Sequence, residues 1–443
     1  MTKRIQTRHL LPAIVLCVMT SWLSGQTHVL TDAGTHIYTE QNGLVLLVRE
    51  NHFAPVVTAR VYVRAGSMLE EEYLGAGISH LAEHLVSGGT TGRRSEAESE
   101  KLLDELGGNA NAATSIYWTV YHIDTTADRL TDAIDLLSDW TNNASITLKE
   151  YNREKKVVTR ELERGKDNIN RVIHQLASQN IYRLHPVRHP VIGYLPQLEK
   201  LTRDDVIRYV RSRYVPNNMV VGVVGDVKAD DVHALVEKTF GRYDRGALPD
   251  IVLPAEPKQV GFRPLIQQRA GLNLTRMRMD FRTVKLDDDD MYPLDILSFV
   301  LSQGQSSRLV RELRDKKKLV RSITTWSGTP YFEEGTFAIY AQMRPGTHDV
   351  VRAAVWEELK RVMNEPVSAE ELAQAKTQKI SEHVFSNQTA GDQCEDMVSN
   401  FLSTNDPDYG RIYVDRIQKV TAEEITRVAR KYLPLWPLDA RWK

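Results

Sequence analysis

An eleven-residue pattern occurs twice in this chain and limits what it can fold into. Leu201-Thr-Arg-Asp-Asp-Val-Ile-Arg-Tyr-Val-Arg211 and Val420-Thr-Ala-Glu-Glu-Ile-Thr-Arg-Val-Ala-Arg430 align without a gap. Both begin with a capping threonine and carry apolar residues at matching helical positions. The chain therefore reads as a duplication, with a helix near the end of each copy. The first copy leads into the apolar run Met219 to Val224, a buried strand closed by Gly225-Asp226. The second leads into Leu433-Pro434-Leu435-Trp436-Pro437, whose prolines lack the ladder donor of a central strand. The last strand of the second copy is expected to be missing or altered, through truncation of the sequence or because a partner covers that edge.

The rest of the chain alternates strand and helix signals, which predicts an α+β protein of two related domains, each a β-sheet flanked by helices. Strands at Ile37 to Tyr38 and Leu44 to Arg49 flank the turn pair Asn42-Gly43. Val56 to Arg64 is β-rich and follows Pro55. A helix enters through Gly75 and Gly77 and stops at Ser87-Gly88-Gly89. Ser95 with Glu98 forms a capping box for a helix to Leu106. Thr114 to Thr126 reads as one strand, and helices follow over Leu130 to Asn142, Leu148 to Arg164 and Ala229 to Phe240. His185-Pro186 and His189-Pro190 predict a loop rather than a ligand pair. The proline-bearing stretch 245–261 is expected to link domain 27–244 to domain 262–443. In the second domain, strands are expected at Leu272 to Phe281 and Thr336 to Met343. Helices are expected at Met291 to Gln303, Val350 to Met363 and from Ala369 on. The acidic run Asp287 to Asp290 reads as a solvated loop, because it lacks the ligand spacing of a calcium loop.

Charge and targeting bound the function. The 57 Lys and Arg residues balance 58 Asp and Glu residues, so nothing in the charge favours nucleic acid or an anionic membrane. Lys3, Arg4 and Arg8 precede an apolar run from Leu10 to Leu23, then Ser24-Gly25. This predicts a signal peptide over residues 1–25 and an exported, periplasmic or secreted chain without a stable membrane span. The alternative is an uncleaved N-terminal anchor, since Leu23 is large for its place before the cut. With the signal gone, Cys394 is the one remaining cysteine. No internal disulfide is then available, and a metal site must use His and carboxylate.

One helix carries such residues. His80, Glu83 and His84 read H-x-x-E-H, and positions i, i+3 and i+4 share a helix face. Two neutral imidazoles one turn apart suit tetrahedral zinc, and a carboxylate beside them can accept a proton. The bland alternative is a helix with two surface histidines. Spacing alone does not choose a third ligand among His122, His174, His185, His189, His233 and many carboxylates. Glu154 and Glu161 are two turns apart and share a face. They fit a ligand with a supporting acid, but also an ordinary charged, solvated helix.

The chain resembles the pitrilysin/insulinase family of zinc metallopeptidases, which includes the mitochondrial processing peptidases. The likeness spans nearly the whole mature chain. It runs through Asn42-Gly43-Leu44, Ala65-Gly66-Ser67, His80 to His84, Gly107-Gly108-Asn109-Ala110-Asn111-Ala112, Thr119-Val120-Tyr121 and Val224-Gly225-Asp226. The 76 residues between His84 and Glu161 match the interval to the family's third ligand. The resemblance implies one Zn2+ per chain held by His80, His84 and Glu161. It implies Glu83 as general base, Glu154 supporting a ligand, and substrate pairing along Asn111 and Ala112. The implied activity is a zinc endopeptidase acting on peptides or unfolded polypeptide segments.

Two departures stand out. In the family an arginine and a tyrosine seven residues apart help bind and polarise substrate. Here Arg314 keeps the first place and Arg321 stands in the second. Loss of such a donor can cost about 100- to 1000-fold in rate. The altered C-terminal strand is the other departure. Both point to a related partner subunit, as a hetero- or homodimer, that completes the site. The competing classes are a non-catalytic scaffold subunit of the same fold and a structural or storage zinc domain. The last leaves Glu83 without a purpose.

Overall fold

The computed structural model describes residues 26–433. The expected signal segment 1–25 and the prolines Pro434 and Pro437 lie outside the described residues. The first half comprises β1 (Thr27–Leu30), β2 (Thr35–Thr39), β3 (Val45–Glu50), β4 (Val56–Val63), α1 (Ile78–Val86), α2 (Glu96–Leu106), β5 (Asn109–Thr114), β6 (Thr119–Thr126), α3 (Leu130–Asn143), α4 (Leu148–Gly165), α5 (Ile169–Ile181), α6 (Leu195–Lys200), α7 (Arg203–Arg213), β7 (Met219–Gly225) and α8 (Ala229–Phe240). The second comprises β8 (Thr275–Arg282), α9 (Met291–Ser302), a π-helical stretch Val310–Lys316, β9 (Val320–Gly328), β10 (Thr336–Met343), α10 (His348–Asn364), α11 (Ala369–Phe385), α12 (Ala390–Thr404), α13 (Tyr409–Lys419) and α14 (Ala422–Tyr432). Among these, no helix is long and apolar enough to cross a membrane.

The strands form a seven-stranded sheet, β1-β2-β3-β7-β4-β6-β5, and a three-stranded sheet, β8-β10-β9. In the first sheet only β3 and β7 are parallel. The repeated helices are α7 and α14, and both begin with the capping boxes their threonines predict. The Asn42-Gly43 turn joins β2 to β3, with Gly43 at φ 87° and the Leu44 amide donating to Asn42 Oδ1 at 3.1 Å.

Each sheet borrows a helix from the other half. β7 is apolar at every position because both of its faces are covered. Met219, Val221 and Val223 face the first core, while Val220 and Val224 face α12 through Cys394, Met397 and Val398. Gly222 permits that approach, since an added Cβ would lie 2.5 Å from Val398 and 2.7 Å from the Cys394 sulfur. The reciprocal helix is α5, which lies on β8. Arg278 Nη1 is 2.6 Å from His174 Nδ1, and the Tyr340 hydroxyl donates to Asn170 at 3.0 Å. β8 alternates accordingly: Met277, Met279 and Phe281 pack on the second core, with Arg276, Arg278, Asp280 and Arg282 interleaved.

Several expectations need correction. Thr114 to Thr126 is not one strand but the end of a hairpin, β5 to β6. Ser115 Oγ accepts from the amides of Tyr117 and Trp118, both at 3.0 Å, and turns the chain there. The irregular connection runs from Phe240 to Thr275, longer than the predicted 245–261. It is strapped down: the Glu256 carboxylate accepts from the amides of Arg183, Leu184 and His185 at 2.6 to 3.0 Å. β1, α5 and β9 were not expected.

Nor is the acidic run wholly solvated. Asp287, Asp288 and Asp289 are exposed, but Asp290 is buried against Arg427, Lys431 and Tyr432 of α14. These partners hold its carboxyl below the usual range, against the opposing effect of burial. A depressed carboxyl contributes stability above its unfolded pKa and loses it as pH falls through the folded value. Asp290→Asn should therefore destabilise the chain by about 1–2 kcal/mol at pH 7. The gap from wild type should narrow below about pH 4. Thermal unfolding of both proteins across this range measures it.

Candidate metal centre

The site is built where α1 crosses α4. Gly77 opens α1 at φ 69°, and a Cβ there would lie 2.3 Å from the Ile192 carbonyl oxygen, so the helix can start only with glycine. Glu70, fully buried, accepts from the Ser79 amide at 3.0 Å and caps the helix from outside it. Ile78, Leu81, Ala82, Leu85 and Val86 sink into the first core. That leaves His80 and His84 on the remaining face, partly exposed, with Glu83 buried beside them.

α4 starts with a capping box between Thr147 and Glu150. The Glu150 carboxylate also accepts from the Thr90 amide at 2.9 Å and the Thr90 hydroxyl at 2.7 Å. One side chain thus ties the exit of α1 to the start of α4. On the far side, Lys155 donates to the carbonyls of Glu199 and Leu201. With the helix held at both faces, Glu154 and Glu161 point at α1.

His80 Nε2 stands 3.8 Å, and His84 Nε2 3.6 Å, from Glu161 Oε2. The three ligand atoms lie within 4.8 Å of one another. These separations are too long for hydrogen bonds. Ligands about 2.0–2.2 Å from a tetrahedral zinc would stand roughly 3.3–3.5 Å apart. The two Glu161 separations need to close by only a few tenths of an ångström, and the imidazole pair by at most about 1.5 Å, which side-chain rotation supplies, so the donor set fits the ion. Burial, aided by His84 and Arg171, holds the His80 imidazole down to about 4. It is neutral at ordinary pH, as a ligand must be. His84 Nδ1 lies 3.2 Å from Glu154 Oε2. Glu154 in turn accepts from Arg153 Nε at 2.7 Å, and Arg153 donates to Glu96 of α2 at 2.9 Å. This chain orients the ring and stabilises the donor state of Nδ1.

The other histidines lie elsewhere. His122 is beside Asp124, His174 meets Arg278, His185 caps the Val187 amide, His189 is near Tyr194 and His233 pairs with Glu40. Asn111 and Ala112 lie on β5, which is an edge of the sheet. Arg314 bonds Asp315 and Gln305 within its own segment, and Arg321 is exposed at the start of β9. Three contributors were not anticipated: Glu70, Arg171, which packs on Gly165 one turn beyond Glu161, and Thr114, which donates to Glu83 Oε2 at 2.6 Å. Only the alternation of β5 hinted at Thr114, since it places Thr114 on the face of Ala110 and Ala112.

Comparison with known proteins shows the family and the fold. Residues 45–194 match the family model described as Insulinase (Peptidase family M16), and residues 200–379 match Peptidase M16 inactive domain. An uncharacterized zinc protease of Rickettsia felis is 26% identical over 88% of this chain and 93% of its own length. A probable mitochondrial-processing peptidase subunit beta of Arabidopsis thaliana is 25% identical over 93% of this chain and 78% of its own. The crystal structure of a protease from Helicobacter pylori shares the fold, with TM-score 0.82 and 24% identity, over 93% of this chain and 97% of that one.

Glu161→Gln should leave the fold intact but drop bound zinc well below one per chain. Glu154→Gln should weaken zinc by about 10- to 100-fold while still binding it. Metal analysis after dialysis against graded zinc concentrations separates the two.

Proposed function

Because the chain belongs to the insulinase (M16) family of zinc peptidases, we propose that it is an endopeptidase for extended polypeptide segments, with zinc held by His80, His84 and Glu161 and with Glu83 as general base. The observation that carries the reading is the convergence of three ligand atoms from two separate helices beside a buried carboxyl. When bound, zinc lowers the pKa of a coordinated water to about 7 and polarises a carbonyl oxygen.

The chain's own residues do the rest. Burial pushes the Glu83 carboxyl up, opposed by the Thr114 hydroxyl and by His84. A carboxyl so placed accepts a proton readily and can hand it to the leaving amine. The free edge of β5 offers main-chain groups to an extended substrate, which would be read through backbone pairing along Asn111 and Ala112. Glu154 keeps His84 oriented.

The place of the family's tyrosine is taken by Arg321, and Arg314 is engaged with Asp315 and Gln305. The reading therefore includes a related partner subunit that supplies these groups, in a hetero- or homodimer. The Arabidopsis relative carries the name of a subunit, which supports it. The N-terminal sequence supports an exported location.

The test is cleavage of an unstructured peptide by the purified chain, alone and with the proteins that co-purify from its source. Cleavage should stop with a chelator and return with zinc. Glu83→Gln should retain zinc but lose at least about 100-fold in kcat. Undiminished cleavage by that variant would sink the proposal, and full activity of the monomer would remove the partner from it.

A further inference from the structure

Glu83 has a hydrogen-bond partner that no role yet explains. Thr114 Oγ1 donates to its Oε2 at 2.6 Å, a short, charge-assisted distance. Thr114 is the last residue of β5 and is paired across the hairpin with Thr119. A residue there could serve only the turn, but the turn does not need it. Ser115 Oγ accepts from the amides of Tyr117 and Trp118, and the Ser115 amide donates to the Trp118 carbonyl at 2.8 Å. The facing Thr119 hydroxyl lies 3.3 Å from Thr114 Oγ1, but it donates its own proton to the Ala65 carbonyl at 3.1 Å. The Thr114 proton goes to the nearer and charged acceptor, Glu83.

The consequence lies in which carboxylate oxygen remains. Oε2 is occupied by the Thr114 hydroxyl, and the Thr114 amide also faces the carboxylate, while no other side chain among the described residues bonds Oε1. Threonine suits this position, since its branched side chain restricts χ1 and holds the hydroxyl in one direction. β5 is also the strand whose free edge a substrate would join. One residue thus connects the substrate's backbone register with the aim of the base.

Resting on the peptidase reading above, we infer that Thr114 is a positioning residue: it pins Oε2 of Glu83 so that Oε1 receives the proton, and it ties the base to the substrate-pairing strand. Thr114 touches neither reacting atoms nor metal ligands and acts only through Glu83.

Thr114→Val keeps shape and removes the hydroxyl, while Thr114→Ser keeps the hydroxyl. With an internally quenched unstructured peptide, the valine variant should lose about 10- to 100-fold in kcat. Its KM and zinc content should change less than about twofold, and the serine variant should recover most of the rate. Added to Glu83→Gln, Thr114→Val should cause no further loss. In that inactive background, peptide affinity measured by fluorescence should also stay within about twofold. Unchanged kcat in the valine variant, or a loss that falls on KM, zinc content or peptide affinity, overturns the inference while leaving the peptidase reading intact. Absence of cleavage by the wild-type chain with zinc and its co-purifying proteins would instead overturn the parent reading, and the inference with it.

Discussion

A single carboxylate oxygen facing two imidazoles is the contact on which the architecture turns. Glu161 Oε2 must stand between His80 and His84, and the three belong to helices separated by a hairpin and two further helices. Local geometry delivers only half of this. α1 places its two histidines one turn apart by helical periodicity alone, whereas Glu161 arrives only if α4 crosses at the right height and rotation. Glu150 fixes the height by binding Thr90 at the exit of α1. The chain from His84 through Glu154 and Arg153 to Glu96 fixes the rotation.

The exchange of helices between the halves extends that constraint through the whole molecule. α5 follows α4 after a short turn, so whatever holds α5 also limits where Glu161 can stand. Its anchors are Arg278 and Tyr340, on strands of the second sheet. α12 returns the exchange by covering the outer face of β7 around Gly222. Burial of apolar area on both faces of β7 contributes far more than any one polar contact, at roughly 25 cal/mol per Å². The second half, though it holds none of the expected ligands, is therefore part of the scaffold that positions them.

Much of this was legible in residue order. The Ser95–Glu98 box, the α7 and α14 caps, the Asn42-Gly43 turn and the apolar β7 run all rest on contacts within a few residues, and each formed where periodicity placed it. Elements whose signals depend on distant partners were not legible. α5 buries no residue fully, and its polar face is explained only by the arginines of β8. Asp290 looked like one acid among four until α14 brought Arg427 and Lys431 to it. Thr114 looked like the start of a strand because the turn at Ser115 depends on side-chain hydrogen bonds that apolar alternation does not encode.

By itself the amino-acid order determined the duplication, the succession of most helices and strands, and the shared face of His80, Glu83 and His84, since these follow from spacings of three to four residues along a helix. It narrowed the candidate third ligand to Glu161 through resemblance and spacing, not through physics. Only the tertiary structure decided that Glu161 meets the histidines, that Glu154 meets His84, and that Thr114 reaches Glu83. Each joins residues dozens of positions apart, and such meetings are set by how helices and sheets bury their apolar faces against one another, a quantity no local window contains.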